Sequence, residues 1–119
     1  FEKYCEKNEN VKYVYKNGDS GQQYLSIVYG TNFYKQRLFY PDYIVRFSDG
    51  RIGIYDTKSG NTVTNKDTYA KSNVLQEYIA AHSDLNLTGG ILNKRSDGIY
   101  LFDKPEYTPE LDEWARLSL

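Results

Sequence analysis

Short stretches of β-branched and aromatic residues, several of them alternating with polar residues, recur along the chain and are typical of β-strands. They predict strands over residues 11–16, 22–29, 38–47, 51–58, 89–94 and 99–103. Pro41 lies inside the third stretch, and because proline lacks the N–H that a central ladder needs, we expect it at a strand start or a bulge. Clusters of Asn, Asp, Gly and Ser predict turns or loops at residues 17–21, 30–37, 48–50, 59–66 and 96–98.

Three other stretches have the hydrophobic spacing or the terminal residues of helices. Residues 1–9 predict a short helix, and residues 67–82 predict the longest one, with Asp67 or Thr68 as its N-cap. The second helix has an apolar stripe suited to lying on a sheet, formed by Ala70, Val74, Leu75, Tyr78, Ile79 and Ala81. Residues 109–117 predict a closing helix, since proline is favoured in a first turn.

The order of these elements predicts a mixed α/β (α+β) fold with a mostly antiparallel sheet flanked by helices. A length of 119 residues suits a single domain over residues 1–119. Hydrophobic residues make up 39% and charged residues 26%, as in soluble globular proteins, and no apolar run is long enough to span a membrane. The chain starts at Phe1 and contains no Met, so we expect a domain excised from a longer protein.

The counts of cysteine and histidine exclude several kinds of site. Cys5 is the only cysteine, so the chain has neither an internal disulfide nor a cysteine-rich zinc site, and a reducing, cytoplasmic setting is expected. His82 is the only histidine, which argues against an HExxH protease or a His-rich metal nuclease. At a net charge of −1 the chain lacks a strongly basic surface. A nucleic acid would need clustered basic residues or a neighbouring domain.

The turn between the third and fourth predicted strands determines which side chains face each other. A three-residue loop at Ser48-Asp49-Gly50, with Gly50 at positive φ, places Asp42 directly opposite Asp56. Directly opposed side chains lie on one face with their Cβ atoms about 5 Å apart. Lys58 shares that face because side chains alternate along a strand. A two-residue loop would instead separate the two acids onto different faces.

Two carboxylates this close repel each other, and a divalent cation bound between them would remove that cost. The apolar residues around them lie on both faces of the hairpin, which predicts a sheet covered on both sides. Ile44, Ile52 and Ile54 share the face of the acids, whereas Tyr43, Val45, Phe47 and Tyr55 line the other. The alternative interpretation is a salt bridge between Asp56 and Lys58 at a strand end, with Asp42 as a turn former.

The segments Phe39-Tyr40-Pro41-Asp42-Tyr43-Ile44-Val45 and Ile54-Tyr55-Asp56-Thr57-Lys58-Ser59-Gly60 resemble the nuclease core of the PD-(D/E)xK superfamily. The likeness is greatest to the C-terminal endonuclease domain of the Res subunits of type III restriction enzymes and of related helicase-nucleases. It extends over about residues 1 to 82 and includes the first two predicted strands. Asp56 stands where many members carry Glu, and the family accepts either acid.

This resemblance implies a restriction-endonuclease-like core and a Mg²⁺-dependent catalytic centre, with Mn²⁺ as a possible substitute. Asp42 and Asp56 would bind the metal together with the backbone carbonyl of Thr57, and Lys58 would activate or orient the attacking water. Many family members use a further acid from the first helix, for which Glu6 is chosen over Glu2. Each of these side chains also has an ordinary structural interpretation, which for Glu6 is that of a solvated helix residue.

Basic residues outside the motif are candidates for phosphate contacts. Lys71 lies in an early turn of the second helix, where its ammonium can reach a phosphate beside the site, or can remain solvated. Other candidates are Lys12, Lys16, Lys35, Arg37, Lys94 and Arg95. Of these, Lys16 is chosen as the second contact to the substrate phosphate.

The resemblance also implies partners: DNA as substrate, a helicase domain of the same chain, a methyltransferase or specificity subunit, and a dimer for duplex cutting. The expected function is thus a DNA endonuclease domain in a type III restriction-like helicase-nuclease. One alternative is a catalytically inactive nuclease-like fold that acts as a DNA-binding or assembly module. Another is an unrelated α/β ligand-binding domain, which would have an apolar pocket elsewhere.

Overall fold

A six-stranded sheet organises the part of the chain that the computed structural model describes, namely residues 1–17, 25–29, 37–58 and 65–119. The helices and strands are α1 Glu2–Glu6, β1 Val11–Lys16, β2 Ile27–Tyr29, β3 Arg37–Phe39, β4 Tyr43–Phe47, β5 Ile52–Lys58, α2 Lys66–Ala81, β6 Leu87–Arg95, β7 Gly98–Phe102 and β8 Ala115–Arg116. The main sheet has the spatial order β1-β4-β5-β6-β7-β8, and β2 pairs with β3 separately.

The main sheet is mixed because one pair of neighbouring strands is parallel. β5 and β6 run in the same direction, whereas each of the other neighbouring pairs in the sheet is antiparallel. Two parallel strands need a crossover connection, and α2 lies in the one that joins β5 to β6. The predicted class, a mixed α/β fold with a mostly antiparallel sheet, is therefore confirmed.

The hairpin between β4 and β5 has the register that the sequence predicts. Tyr43 pairs with Tyr55 and Ile44 pairs with Ile54, as a three-residue loop requires. The N–H of Phe47 donates to the carbonyl of Arg51 over 3.0 Å and closes the loop. Gly50 adopts a φ of +94°, a conformation that favours glycine. The acids at the far end of this hairpin are consequently brought to one edge of the sheet.

Helices and loops cover both faces of the hairpin, as its two apolar faces predict. Val45, Phe47 and Tyr55 pack against Cys5 of α1 on one face. On the other face Ile54 packs against Leu75 of α2, together with Ile27 and Phe39 of the small sheet. A third cluster extends this second layer and consists of Ile91, Phe102, Tyr107 and Trp114. The face of Asp56 is thus the face covered by α2.

The predicted strand over residues 38–47 is two strands that belong to different sheets. β3 ends at Phe39 and β4 begins at Tyr43, with the buried Pro41 between them. Proline has no N–H with which to continue a ladder, so the chain leaves the small sheet there and enters the large one. Of the predicted strand over residues 22–29, only β2 is found as a strand, and residues 22–24 lie outside the described ranges.

Residues 18–21 of the first predicted turn, 30–36 of the next loop and 59–64 of the loop after β5 also lie outside the described ranges. The last residues of the two predicted loops, over residues 30–37 and 59–66, are described and belong to a strand and a helix. Arg37 is already part of β3, and Lys66 is already the first residue of α2.

The closing helix that the sequence predicts over residues 109–117 is wrong. The chain makes one short 3₁₀ turn at Leu111–Glu113 and then β8, which pairs with β7. Trp114 is buried in the layer with α2, whereas Leu117 is buried in the cluster around Cys5 on the opposite face. A helix would present residues three positions apart on the same side, so only an extended chain passing the edge of the sheet can bury both.

The predicted second helix is confirmed with a shift at its start. The N-cap is Asn65, whose side-chain oxygen accepts a hydrogen bond from the N–H of Asp67 over 2.8 Å, rather than Asp67 or Thr68. Helix α2 ends at Ala81, one residue before the prediction, and its C-cap is His82, whose Nδ1 lies 2.8 Å from the carbonyl oxygen of Tyr78. Within the described ranges, no helix has the length and apolar character needed to cross a bilayer.

Replacing Asn65 by alanine is expected to lower the free energy of unfolding by about 1 kcal/mol, because the N–H of Asp67 loses its acceptor. Urea denaturation followed by circular dichroism measures this loss. Lys66→Ala is the matched control, since Lys66 is exposed and adjacent but supplies no cap. Equal stability of Asn65→Ala and Lys66→Ala would contradict the assigned cap.

Candidate active site at the carboxyl edge of β5

Asp42 and Asp56 meet at the end of the β4–β5 hairpin. The last ladder pair is Tyr43 with Tyr55, and Asp42 and Asp56 are the next residue on each strand. The carboxylate of Asp42 is oriented by Thr57, whose N–H and Oγ1 donate to Oδ2 of Asp42 over 2.9 Å and 2.5 Å. The acids therefore lie on neighbouring strands at one sheet edge, as the predicted register requires.

Asp56 is the more buried acid, with 2% of its surface exposed. Its pKa is raised from 3.8 to about 6, first by burial and second by the negative charge of Asp42. The positive charges of Lys58 and Lys71 act in the opposite direction. Burial and Asp42 together raise the pKa of Asp56 more than the two lysines lower it. A further cation beside Asp56 would therefore stabilise its charged form.

Lys58 lies beside Asp56 on the same face. Its Nζ is 2.8 Å from Oδ2 of Asp56, and its side chain is 18% exposed. Apart from this ion pair, Oδ2 accepts no hydrogen bond from the described residues. The ammonium therefore contacts the buried carboxylate and is also partly exposed to solvent. This position would allow it to contact a bound substrate.

Lys71 is oriented toward the same region from α2. Its Nζ lies 3.0 Å from Oδ2 of Asp67 and 5.5 Å from the centroid of the Phe39 ring. Its charge lowers the pKa of Asp56, which places it within electrostatic range of the site. Helix α2 begins at this edge because it leads back from the end of β5 to the start of β6.

The structure does not bring Glu6 or Lys16 to the acids. Both line an open groove of about 520 Å³ between α1 and β1. Helix α1 packs against the face of Tyr55, which is opposite to that of Asp56. Among the described residues no group of three or more acidic, cysteine or histidine side chains is placed to hold a metal ion. The site is therefore a pair of carboxylates with lysines.

Two polar residues of β6 extend the site: Asn93, which the sequence analysis did not name, and Arg95, which it named only as one of several candidates for a phosphate contact. Asn93 pairs with Lys58 across the parallel strands, and its Nδ2 donates to the carbonyl of Lys58 over 2.9 Å. Arg95 donates from Nε to Oδ1 of Asn93 over 2.9 Å. The sequence signal was an asparagine inside an apolar strand, since a buried amide needs partners.

A cavity of about 210 Å³ lies on the α1 side of the same edge. It is lined by Phe1, Thr57, Lys58, Leu92, Lys94 and Ile99. Pockets for drug-sized ligands usually measure about 300–1,000 Å³ and are mostly apolar. This cavity is smaller and includes two lysines, and the 520 Å³ groove is lined by charged residues of both signs, so neither favours an unrelated ligand-binding domain.

Comparisons with protein-family models, with curated proteins and with solved structures return no match. The chemistry of this edge must therefore be inferred from the residues that form it. They are two carboxylates on neighbouring strands, one of them buried with a raised pKa, with an ammonium in contact and a polar strand alongside.

Proposed function

We propose that this chain is a metal-dependent nuclease domain of the PD-(D/E)xK type, which hydrolyses phosphodiester bonds with Asp42, Asp56 and Lys58. The observation that carries the proposal is that Asp42 and Asp56 are the residues next to the last pair of the β4–β5 ladder, with the Lys58 ammonium 2.8 Å from Asp56. The site also lies at the carboxyl ends of β5 and β6, the position where open α/β sheets commonly bind ligands.

The donor set suits Mg²⁺. Asp42 and Asp56 would hold the ion, with the carbonyl of Thr57 as a third oxygen, and a small hard cation of this kind is usually bound by one or two carboxylates while keeping several waters. The raised pKa of Asp56 supports the fit, because burial beside Asp42 disfavours its charge unless a cation offsets it. When bound, the metal would lower the pKa of a water molecule and neutralise phosphate oxygens.

The side chains of this chain would supply the remaining steps. The two carboxylates would hold the cation at this edge, and Thr57 fixes the carboxylate of Asp42 by donating two hydrogen bonds to its Oδ2. Lys58 donates hydrogen bonds to the phosphate oxygen on which charge develops, or orients the attacking water. A positioned cation of this kind stabilises the transition state more than the ground state, because the charge increases as the bond breaks. Lys71 would contact the phosphate from α2.

The proposal also includes a fold family, a substrate and partners. The meander of β1, β4 and β5, followed by α2 and the parallel β6, would be a restriction-endonuclease-like core. The substrate would be DNA, cleaved in the cytoplasm beside a helicase domain of the same chain and with a methyltransferase or specificity subunit. Cutting both strands of a duplex would require a second copy of the centre.

Metal binding and cleavage test the proposal together. We expect the chain to nick plasmid DNA with Mg²⁺ or Mn²⁺ and to stop when EDTA is added. In Mn²⁺ calorimetry, Asp42→Asn should weaken binding about tenfold or more, because a charged ligand is lost. Asp49→Asn is the matched control, since Asp49 is at the opposite end of the hairpin. Equal Mn²⁺ affinity of Asp42→Asn and the parent chain would exclude this site.

A catalytically inactive nuclease-like module is the second candidate. It is favoured by the isolation of Glu6 on the other face and by the hydrogen bonds that hold Asp42 to Thr57. Such a module would bind DNA but would leave it intact at every metal concentration. Intact plasmid, together with DNA binding that does not change when Mn²⁺ is added, would support this second function over the first.

A further inference from the structure

Arg95 is a stacked and oriented guanidinium at the carboxyl end of β6. Its guanidinium carbon lies 4.4 Å from the centroid of the Tyr100 ring and 5.5 Å from that of the Trp114 ring. Its Nε donates to Oδ1 of Asn93 over 2.9 Å. The two rings and this hydrogen bond together hold the group in place, and its outer nitrogens remain to donate elsewhere.

Arg51 provides an internal comparison because its surroundings are nearly the same. Its Nε donates to Oδ2 of Asp49, two residues earlier, over 2.8 Å, and its guanidinium carbon lies 4.5 Å from the Phe47 ring centroid. The partner of Arg51 is an acid, so that charge is neutralised at the far end of the hairpin. The partner of Arg95 is a neutral amide, and no ion pair within 4.0 Å joins Arg95 to any described residue.

Arg95 is connected to the candidate active site through Asn93. Asn93 is 7% exposed and donates to the carbonyl of Lys58, the residue with which it pairs. Arg95 follows two residues later and therefore projects on the same face as Lys58, about 6.6 Å further along the strand direction. Asp97, two residues after Arg95, accepts a hydrogen bond from the hydroxyl of Tyr100 over 2.7 Å, and the charges of Arg116 and Arg95 help to lower its pKa without an ion pair to Arg95 within 4.0 Å.

We infer that Arg95 binds a second phosphodiester of the substrate, adjacent to the one that the acids and Lys58 would cleave. The inference rests on the proposed function, since it takes the substrate to be a nucleic acid. A guanidinium recognises a phosphate through two parallel hydrogen bonds, and Arg95 is held in place with its outer edge available. A second phosphate contact makes the substrate a polynucleotide rather than a mononucleotide, and fixes the path of the strand from Lys58 along β6.

Salt-dependent DNA binding tests this role without cleavage. The binding of a fluorescein-labelled DNA duplex is measured by anisotropy over a series of NaCl concentrations, in an Asp56→Asn background with EDTA. Removing one phosphate contact should make the slope of log affinity against log salt less negative by about 0.9. We expect this change for Arg95→Gln, together with about tenfold weaker binding at the lowest salt. Arg95→Lys should keep the slope and bind about threefold more weakly, because its ammonium cannot donate as a fork.

Arg51→Gln is the control, since it removes the same stacked guanidinium at the opposite edge of the sheet, and its slope should equal that of the parent chain. A slope unchanged by Arg95→Gln would overturn the inference, as would equal slope changes for Arg51→Gln and Arg95→Gln, or a parent chain that does not bind the duplex. Plasmid cleavage fails or succeeds independently of these slopes. An uncleaved plasmid with the expected slope change would keep the phosphate site and remove only the nuclease.

Discussion

Replacing Lys58 by methionine is expected to slow metal-dependent cleavage by about 10²–10³-fold, the loss typical of removing one group that stabilises developing charge. Methionine keeps most of the aliphatic stem and removes only the ammonium that lies 2.8 Å from Asp56. The affinity for Mn²⁺ should not fall, because Lys58 competes with a metal for the negative charge of Asp56. Single-turnover cleavage and Mn²⁺ calorimetry measure the two quantities on the same protein.

Lys94→Met is the matched control for this substitution. Lys94 follows Asn93 on the strand next to Lys58; it is exposed and lines the cavity on the α1 side of the sheet, not the face of Asp56. Cleavage by Lys94→Met should stay within about twofold of the parent rate, as for an exposed residue that does not contact the acids. A Lys58→Met enzyme that cleaves at the parent rate would remove Lys58 from the mechanism. Loss of Mn²⁺ binding in parallel with activity would make Lys58 a structural residue instead.

The part of the site formed by β4 and β5 was predictable because a local rule determines it. A short turn with a glycine at positive φ fixes the register of a hairpin, and the register fixes which acids are opposed. Gly50 is at a φ of +94° and Tyr43 pairs with Tyr55, so the hairpin has the predicted register, and Asp42 and Asp56 are both next to its last pair. Lys58 follows by alternation alone.

The remaining parts of the site depend on contacts between distant segments, which no local rule determines. The register of the parallel strands β5 and β6 is set by the packing of α2 and not by a turn, so Asn93 could not be placed beside Lys58 beforehand. The side of the sheet on which α1 packs was equally open, and it separates Glu6 from the acids.

The prediction of a closing helix over residues 109–117 was wrong for a related reason. Trp114 and Leu117 have helical spacing in sequence, but each is buried on a different face of the sheet, and tertiary burial overrides local propensity. Trp114 of this aromatic cluster also contacts the guanidinium of Arg95. The segment over residues 109–117, whose helix was wrongly predicted, therefore contributes to the second phosphate site proposed above.

Replacing Asp56 by asparagine is expected to stabilise the metal-free chain at neutral pH, by up to about 3 kcal/mol. The pKa of Asp56 is about 6 in the folded chain, above the ordinary value of 3.8. Between these two values the folded state binds more protons than the unfolded state, so the free energy of unfolding falls as the pH rises. The loss is complete above the folded pKa, where the buried carboxylate must carry its charge.

The stability difference between Asp56→Asn and the parent chain should therefore depend on pH in a defined way. At about pH 4 the protonated acid and the amide are neutral and similar in shape, so the two proteins should unfold at nearly the same urea concentration. The difference should increase between about pH 4 and pH 6 and remain constant above about pH 7. Urea titrations in EDTA at several pH values, followed by circular dichroism, measure this profile.

Asp49→Asn should give a profile of the opposite sign. Hydrogen bonds from Arg51 lower the pKa of Asp49, so its charge stabilises the folded chain and the substitution should be destabilising at neutral pH. If the stability difference between Asp56→Asn and the parent chain does not vary with pH, burial does not disfavour the charge of Asp56 in the folded chain. If the difference varies as expected, adding Mg²⁺ should raise the stability of the parent chain and leave Asp56→Asn nearly unchanged, because a cation bound between Asp42 and Asp56 offsets the charge that burial disfavours.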